Sequence, residues 1–180
     1  RIENMWAFEA DPVSPGLGHQ LTGLCGPPGS AGPEFARTSF GSMFAYQAFF
    51  NSFDPTDKRR MLLDTNYVNK AGAIVPQKSI TPITTKGVLI KKYQDPVSTI
   101  GMIPNIPIFR LPDMYLIAAE AEARLNGATA VAYDFINPVR KRAGLADLKT
   151  GLTKDAFIDA VLQERAWEFF AEGDRWYDLT

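Results

Sequence analysis

Apolar positions follow two different periods along the chain. From about residue 111 onward they recur at helical spacing, whereas before residue 93 they come in short runs broken by Gly and Pro. The later stretch predicts three helices. The first starts at Pro112, where the missing proline N–H would be unsatisfied in any case. It carries two neighbouring rows, Leu116-Ala119-Ala123 and Leu111-Tyr115-Ala118-Glu122, with alanines that let another helix approach closely. Asn126-Gly127 stops it, Gly supplying a left-handed cap. The second runs from about Thr129 to Arg142 and ends at Ala143-Gly144. Pro138 should bend it, since the Asp134 carbonyl loses its partner. The third follows Thr153 as N-cap, with Asp155 in its first turn. Its apolar face holds Phe157, Ile158, Val161, Leu162, Ala166, Phe169 and Phe170, and Gly173 closes it.

The first half reads differently. Asn4–Glu9 alternates enough for a short strand before Asp11-Pro12. Residues 11–39 are rich in Gly, Pro and Ser and predict no regular structure; so long a stretch in a compact domain reads either as a functional loop or as a poorly ordered excursion. Phe40 to Phe53 predicts a helix, with Phe40, Phe44, Ala48 and Phe49 at helical spacing and Asp54-Pro55 as its end. Tyr46, Phe50 and Phe53 complete an aromatic collar, a pattern that more often builds a core than a ligand platform. Strands are expected at Tyr67-Val68, Ala73-Ile74-Val75 and Val88-Leu89-Ile90, separated by Gly72, Pro76, Pro82 and Gly87. Residues 96–107 form another Pro-punctuated loop.

The first two helices make a hairpin of about the length of a tetratricopeptide unit, near 34 residues. One such unit cannot bury both its faces and must stack on something. No second copy is visible in the sequence.

Composition narrows the function classes. The chain has 180 residues, 46% of them hydrophobic, enough for a sizeable core. A net charge of -1 leaves no electrostatic footprint for nucleic acid or anionic lipid. Apolar runs fall well short of the ~18 residues of a membrane span. With one Cys and one His, a zinc site is implausible and no cofactor is implied. His19 precedes Cys25 by six residues, but no local signature supports a Cys–His nucleophile. Gly26-Pro27-Pro28-Gly29-Ser30 lacks the Gly-Lys-Ser/Thr end of a phosphate loop. Lys91-Lys92 and Lys58-Arg59-Arg60 read as solvated turns.

Glu164, Glu168 and Glu172 recur at i, i+4 and i+8 inside an aromatic helix. Glycoside hydrolysis needs two carboxyl groups facing across a sugar, roughly 5 to 9.5 Å apart. Neighbours in this stripe are separated by about 6 Å along one axis and point the same way, so they cannot flank a substrate. The reading is structural: Glu164 or Glu168 pairs with Arg140, Arg142, Arg165 or Arg175 inside a helical stack, because half-buried charges persist only when paired.

Three runs taken together carry a resemblance: Glu164-Arg165-Ala166-Trp167-Glu168-Phe169-Phe170-Ala171-Glu172-Gly173-Asp174-Arg175-Trp176-Tyr177-Asp178-Leu179, Arg110-Leu111-Pro112-Asp113-Met114-Tyr115-Leu116-Ile117-Ala118-Ala119-Glu120-Ala121-Glu122-Ala123, and Asn137-Pro138-Val139-Arg140-Lys141-Arg142-Ala143-Gly144-Leu145. The chain resembles the carboxy-terminal domain of the SusD/RagB family over residues 106–180, and more loosely before. Asp54-Pro55-Thr56-Asp57 and Lys92-Tyr93 with Asp95 are similar to weaker family features. Leu111-Pro112-Asp113 departs from the commoner Tyr-Ala-Glu-like run, and Pro138 interrupts a helix that relatives keep continuous. Both departures touch the scaffold.

The resemblance implies a mostly α fold with small β elements (α+β), a tetratricopeptide-related helical scaffold with loop-rich strand and hairpin insertions. Residues 1–105 would be the loop- and strand-rich ligand-facing region and 106–180 the helical signature region. The chain would be a fragment lacking the upstream helical repeats on which the hairpin stacks, and lacking a lipid anchor; Arg1 and the stop at Thr180 within a motif fit that expectation. Family members are surface lipoproteins of the outer membrane that capture glycans or peptides. They hand them to a SusC-like TonB-dependent transporter and catalyse nothing.

Carbohydrate recognition needs aromatic faces for the C–H face of a sugar and polar groups for its hydroxyls. The long loop and the segment after it supply both in His19, Gln20, Phe35, Arg37, Phe40 and Tyr46, chosen by residue type and loop position. Two other classes stay open: a fragment of an all-helical carbohydrate-active enzyme, and a tetratricopeptide-like protein-interaction module.

Overall fold

The computed structural model describes residues 3–10, 21–27, 39–76, 87–93 and 105–180. The chain forms two compact units. One comprises Arg1–Ala7, Pro55–Arg59 and Pro107–Thr180, the other Phe8–Asp54 and Arg60–Ile106. The class is mostly α with small β elements, as the sequence predicts.

The first unit is helical. Helices α3 (Leu111–Asn126), α4 (Ala130–Arg142) and α5 (Lys154–Glu168) form its body; α6 (Arg175–Leu179) follows, and strand β1 (Asn4–Phe8) pairs with β6 (Ile106–Arg110). Arg110 is extended at φ -124° and ψ 153°, so α3 begins at once with Pro112 in its first turn. Gly127, at φ 85°, ends α3 with its N–H on the Ala123 carbonyl. Nothing lies within 4 Å of where its Cβ would be, so backbone conformation alone calls for Gly there. The Thr129 and Thr153 hydroxyls each accept the N–H three residues on, at 3.3 Å, capping α4 and α5. Pro138 does not break α4.

Leu116, Ala119, Ala123, Ala132, Ile136, Phe157 and Val161 are all fully buried in one core. Each of the large side chains among them stabilises by about 1.5–3 kcal/mol relative to exposure. Of the two rows predicted on α3, the Leu116 row faces this core, while Leu111 is 42% exposed. The α3–α4 hairpin packs on α5 as well as on itself. A stacking neighbour therefore lies within the chain itself. Tyr133 seals the α4–α5 loop: its hydroxyl donates to the Lys149 carbonyl at 3.1 Å and accepts from Leu152 N at 3.2 Å, while its ring meets Phe157 edge-on at 4.9 Å.

Helix α5 ends earlier than the apolar pattern suggests. Ala171 is left-handed at φ 61° and Gly173 sits at φ 102°, so the chain turns after Glu168 instead of continuing to Gly173. For Ala that conformation costs about 1–2 kcal/mol.

The second unit contains α1 (Leu21–Cys25), α2 (Gln47–Ser52) and strands β2 (Leu63–Asp64), β3 (Asn66–Val68), β4 (Ile74–Pro76) and β5 (Leu89–Ile90). A 3-10 helix spans Lys58–Leu62. The strand expectations hold, with β2 against β5 and β3 against β4 in antiparallel pairs. The Asn69 carboxamide oxygen accepts from Ala71 N and Ala73 N at 3.0 and 2.9 Å, closing the β3–β4 turn.

Two expectations fail here. The stretch 11–39 contains a helical turn, α1, within its described part. The helix expected over Phe40–Phe53 is confined to α2. Gly41 is left-handed at φ 67°, the N–H groups of Phe40, Ser42 and Met43 go to the carbonyls of Gly23 and Leu24, and Ala45 pairs with Val88. Gly87 makes that pairing possible: a Cβ there would stand 2.6 Å from Phe44 Cβ and 2.9 Å from the Ala45 carbonyl oxygen. Tertiary β-pairing overrides the helical period.

Candidate functional site

Chemistry-bearing groups fall into two sets, one in each unit. The first is the charged stripe of α5. Glu164 is fully buried, with Arg59 Nη1 2.7 Å from Oε1 and Arg140 Nη1 3.0 Å from Oε2. Glu168 Oε1 takes Arg110 Nη1 at 2.7 Å and Arg142 Nη2, while Oε2 faces Arg59 at 3.3 Å. Glu172 receives Arg110 as a fork, Nε at 3.0 Å and Nη2 at 2.7 Å. The same guanidinium covers the Phe169 ring at 4.8 Å.

Two partners in this lattice escape sequence reasoning. Arg59 is 8% exposed, so it is not part of a solvated turn. Asp57, two residues earlier and also buried, binds its Nε, Nη2 and backbone N–H, which fixes the guanidinium before it reaches Glu164. The Pro55-to-Asp57 turn is the local signal. Arg110 is oriented by its place at the end of β6, beside Glu3 at 2.7 Å.

Arg140 and Arg142 pair with the stripe as predicted; Arg165 and Arg175 do not. Arg165 bridges Asp113 of α3 at 2.6 Å and Asp178 of α6 at 2.7 Å. It points there because residues one apart on a helix face different ways. Arg175 caps the Leu162 carbonyl at 3.2 Å and lies 4.0 Å from Asp178.

Burial alone would raise the Glu168 carboxyl, but the charge of Arg110 and the hydrogen bond and charge of Arg142 outweigh it and hold it at about 2. Such a group carries no proton at neutral pH and cannot act as a general acid. Burial pushes the Cys25 thiol up to about 11, so it is no nucleophile either. Among the described residues no three His, Cys, Asp or Glu side chains gather as a metal site.

The second set is aromatic. Phe40 is 56% and Tyr46 86% exposed, both on the segment 39–47 fastened by backbone bonds to α1 and Val88. The rest of the collar is occupied: Phe53 is buried with Phe49 edge-on at 5.1 Å, and Arg60 covers the Phe50 ring at 4.4 Å. The other proposed ligand residues, His19, Gln20, Phe35 and Arg37, lie outside the described residues.

A sequence model of the SusD family matches residues 38–180. SusD-like protein P25 of Formosa agariphila is 45% identical over 78 residues, 42% of this chain and 15% of that protein. Surface glycan-binding protein A from Bacteroides uniformis shares the fold with a TM-score of 0.73 at 27% identity, over 99% of this chain and 37% of its own. Surface glycan-binding protein A from Bacteroides thetaiotaomicron, solved in complex with laminarihexaose, gives a TM-score of 0.66 at 20% identity, over 98% and 42%. The chain thus spans less than half the length of each of these proteins.

Proposed function

The chain belongs to the SusD family, and on that premise we propose that it is part of a cell-surface protein that binds oligosaccharide and catalyses no reaction. The observation that carries this reading is the contrast between the two sets of side chains. The carboxylates that could do acid–base chemistry are locked in ion pairs within the helical unit. Phe40 and Tyr46 present uncommitted aromatic surface, which suits the C–H faces of sugars. The relatives named for glycan binding, one of them holding laminarihexaose, support the same class of ligand.

The wider role in this proposal is that of the family. The parent protein is a lipoprotein on the outer membrane that passes its glycan to a SusC-like TonB-dependent transporter and closes over it as a lid. His19, Gln20, Phe35 and Arg37 belong to the proposed ligand surface with Phe40 and Tyr46. Isothermal titration against a glycan panel, run beside a reducing-sugar release assay, tests the central claim. Binding without release is the expected result. Release of reducing ends would instead favour a carbohydrate-active enzyme, and peptide binding with no glycan response an interaction module.

A further inference from the structure

We propose that the cavity between the start of α3 and the end of α4 is a peptide-binding pocket. It takes one aromatic side chain from an extended segment of a partner protein and holds the backbone of that segment at Glu3 and Arg142. The pocket lies in the helical unit, whereas Phe40 and Tyr46 belong to the other, and it does not depend on the glycan reading.

The walls are apolar and stiff. Leu111, Pro112 and Tyr115 of α3 line the cavity with Pro138 and Val139 of α4, enclosing about 370 Å³. That is near the lower end of the roughly 300–1,000 Å³ of small-ligand pockets, so it suits one ring system better than an oligosaccharide. Tyr115 is steadied by Phe135, their ring centroids 6.4 Å apart. Proline rings lose no rotamer freedom on contact, and their C–H edges suit the negative face of an aromatic ring. Pro112 costs nothing in the first turn of α3. Pro138 is different, because inside α4 it deprives the Asp134 carbonyl of its helical partner. As a wall of this cavity, a residue unfavourable to the helix has a use. Leu111-Pro112 and Pro138 are also the two places set apart in the sequence as departures from the family run, and they meet here.

The polar edge of the cavity is fixed before any ligand arrives. Glu3 is held beside α3 by its carbonyl, which accepts the Leu111 N–H at 2.9 Å. Its Oε1 takes both Arg110 Nη1 and Arg142 Nη1, and Arg142 Nη2 pairs with Glu168. Glu3 Oε2 and Arg142 Nε keep no partner among the described residues. One ion pair thus offers a spare acceptor and a spare donor, which match the N–H and C=O of a peptide backbone. Each of the two charges already faces opposite ones. A neutral amide therefore suits this edge better than a chain terminus or a free amino acid.

The test is an NMR titration of the full chain with the blocked pentapeptide acetyl-Gly-Gly-Trp-Gly-Gly-amide and its central Leu and Ala counterparts. We expect the Trp peptide to bind with shifts at Leu111 and Arg142, the Leu peptide to bind about fivefold more weakly, and the Ala peptide not to bind. Pro138→Ala withdraws two methylenes from the wall and should weaken the Trp peptide about tenfold. It also restores a helix N–H, so its melting temperature should equal or exceed that of the parent. Leu111→Ala, at a position 42% exposed, should weaken the peptide about fivefold with melting unchanged. Trp-peptide binding that survives both substitutions overturns the pocket, and so does failure of all three peptides to bind. Free tryptophan bound as tightly as the blocked peptide overturns the backbone contact with Glu3 and Arg142. A dimer in sedimentation that Pro138→Ala dissociates would make the occupant a second copy of this chain and overturn the partner assignment.

Discussion

Arg110 Nη1 stands 2.7 Å from Glu168 Oε1, joining residues 58 apart in sequence with almost no solvent on either side chain. Each charge is tolerable only because opposite charges face it, Glu172 and Glu3 also on Arg110, Arg142 and Arg59 also on Glu168. Glu168→Gln should therefore destabilise the chain by about 3–5 kcal/mol, the usual cost of breaking a buried pair from one side. Urea denaturation followed by circular dichroism measures it. A loss under 1 kcal/mol would show that Arg142 and Arg59 do not need this carboxylate.

The same group sets a pH dependence. Folding depresses the Glu168 carboxyl from its ordinary 4.5 to about 2. The folded state thus binds this proton less readily than the unfolded one. Its contribution, roughly 3 kcal/mol from the size of the shift, is fully present above pH 4.5 and is lost as pH falls toward 2. Stability curves of the parent and Glu168→Gln should converge across that interval; parallel curves would contradict the assignment.

Arg165 ties α3 to α6 through Asp113 and Asp178. Arg165→Ala should lower the melting temperature, with about 3–5 kcal/mol lost, and leave glycan affinity nearly unchanged in the protein that stays folded. Lost affinity at an unchanged melting temperature would turn this scaffold residue into a ligand residue.

Phe40 provides the converse case. It is 56% exposed, so Phe40→Ala should leave circular dichroism and melting near the parent while weakening glycan binding by about 1–3 kcal/mol. If stability falls and affinity does not, the ring merely plugs the segment onto its unit.

Hydrogen exchange tests the helical stack. Leu116, Ala119 and Ala123 of α3 are fully buried in the core shared with Phe157 and Val161 of α5. Amides on that face of α3 should exchange as slowly as those of α5. Fast exchange confined to the α3–α4 hairpin would mean that α5 does not suffice as its stacking partner.

Legibility in the sequence divides by the distance over which each feature is decided. The helices α3 to α5 are readable because their period, Pro112, Gly127 and the two Thr caps all act within a few residues. The run Phe40–Ala45 carries the same helical period, but Val88 and the bare α-carbon of Gly87 decide it from more than forty residues away. Arg59 is likewise invisible locally, since its partners Glu164 and Glu168 come more than a hundred residues later. The uncommitted state of Tyr46 is likewise a tertiary matter, since it stands out against Phe50 and Phe49, which Arg60 and Phe53 occupy.

The sole cysteine, Cys25, is 1% exposed and sits in the unit that carries Phe40 and Tyr46. Its thiol is screened from reagent by packing and kept protonated by burial. Alkylation by a maleimide therefore has to wait for that unit to open, and every labelled molecule marks one opening. The chain carries a single-site mass tag for local unfolding of the unit that holds Phe40 and Tyr46, an opening that ligand should slow.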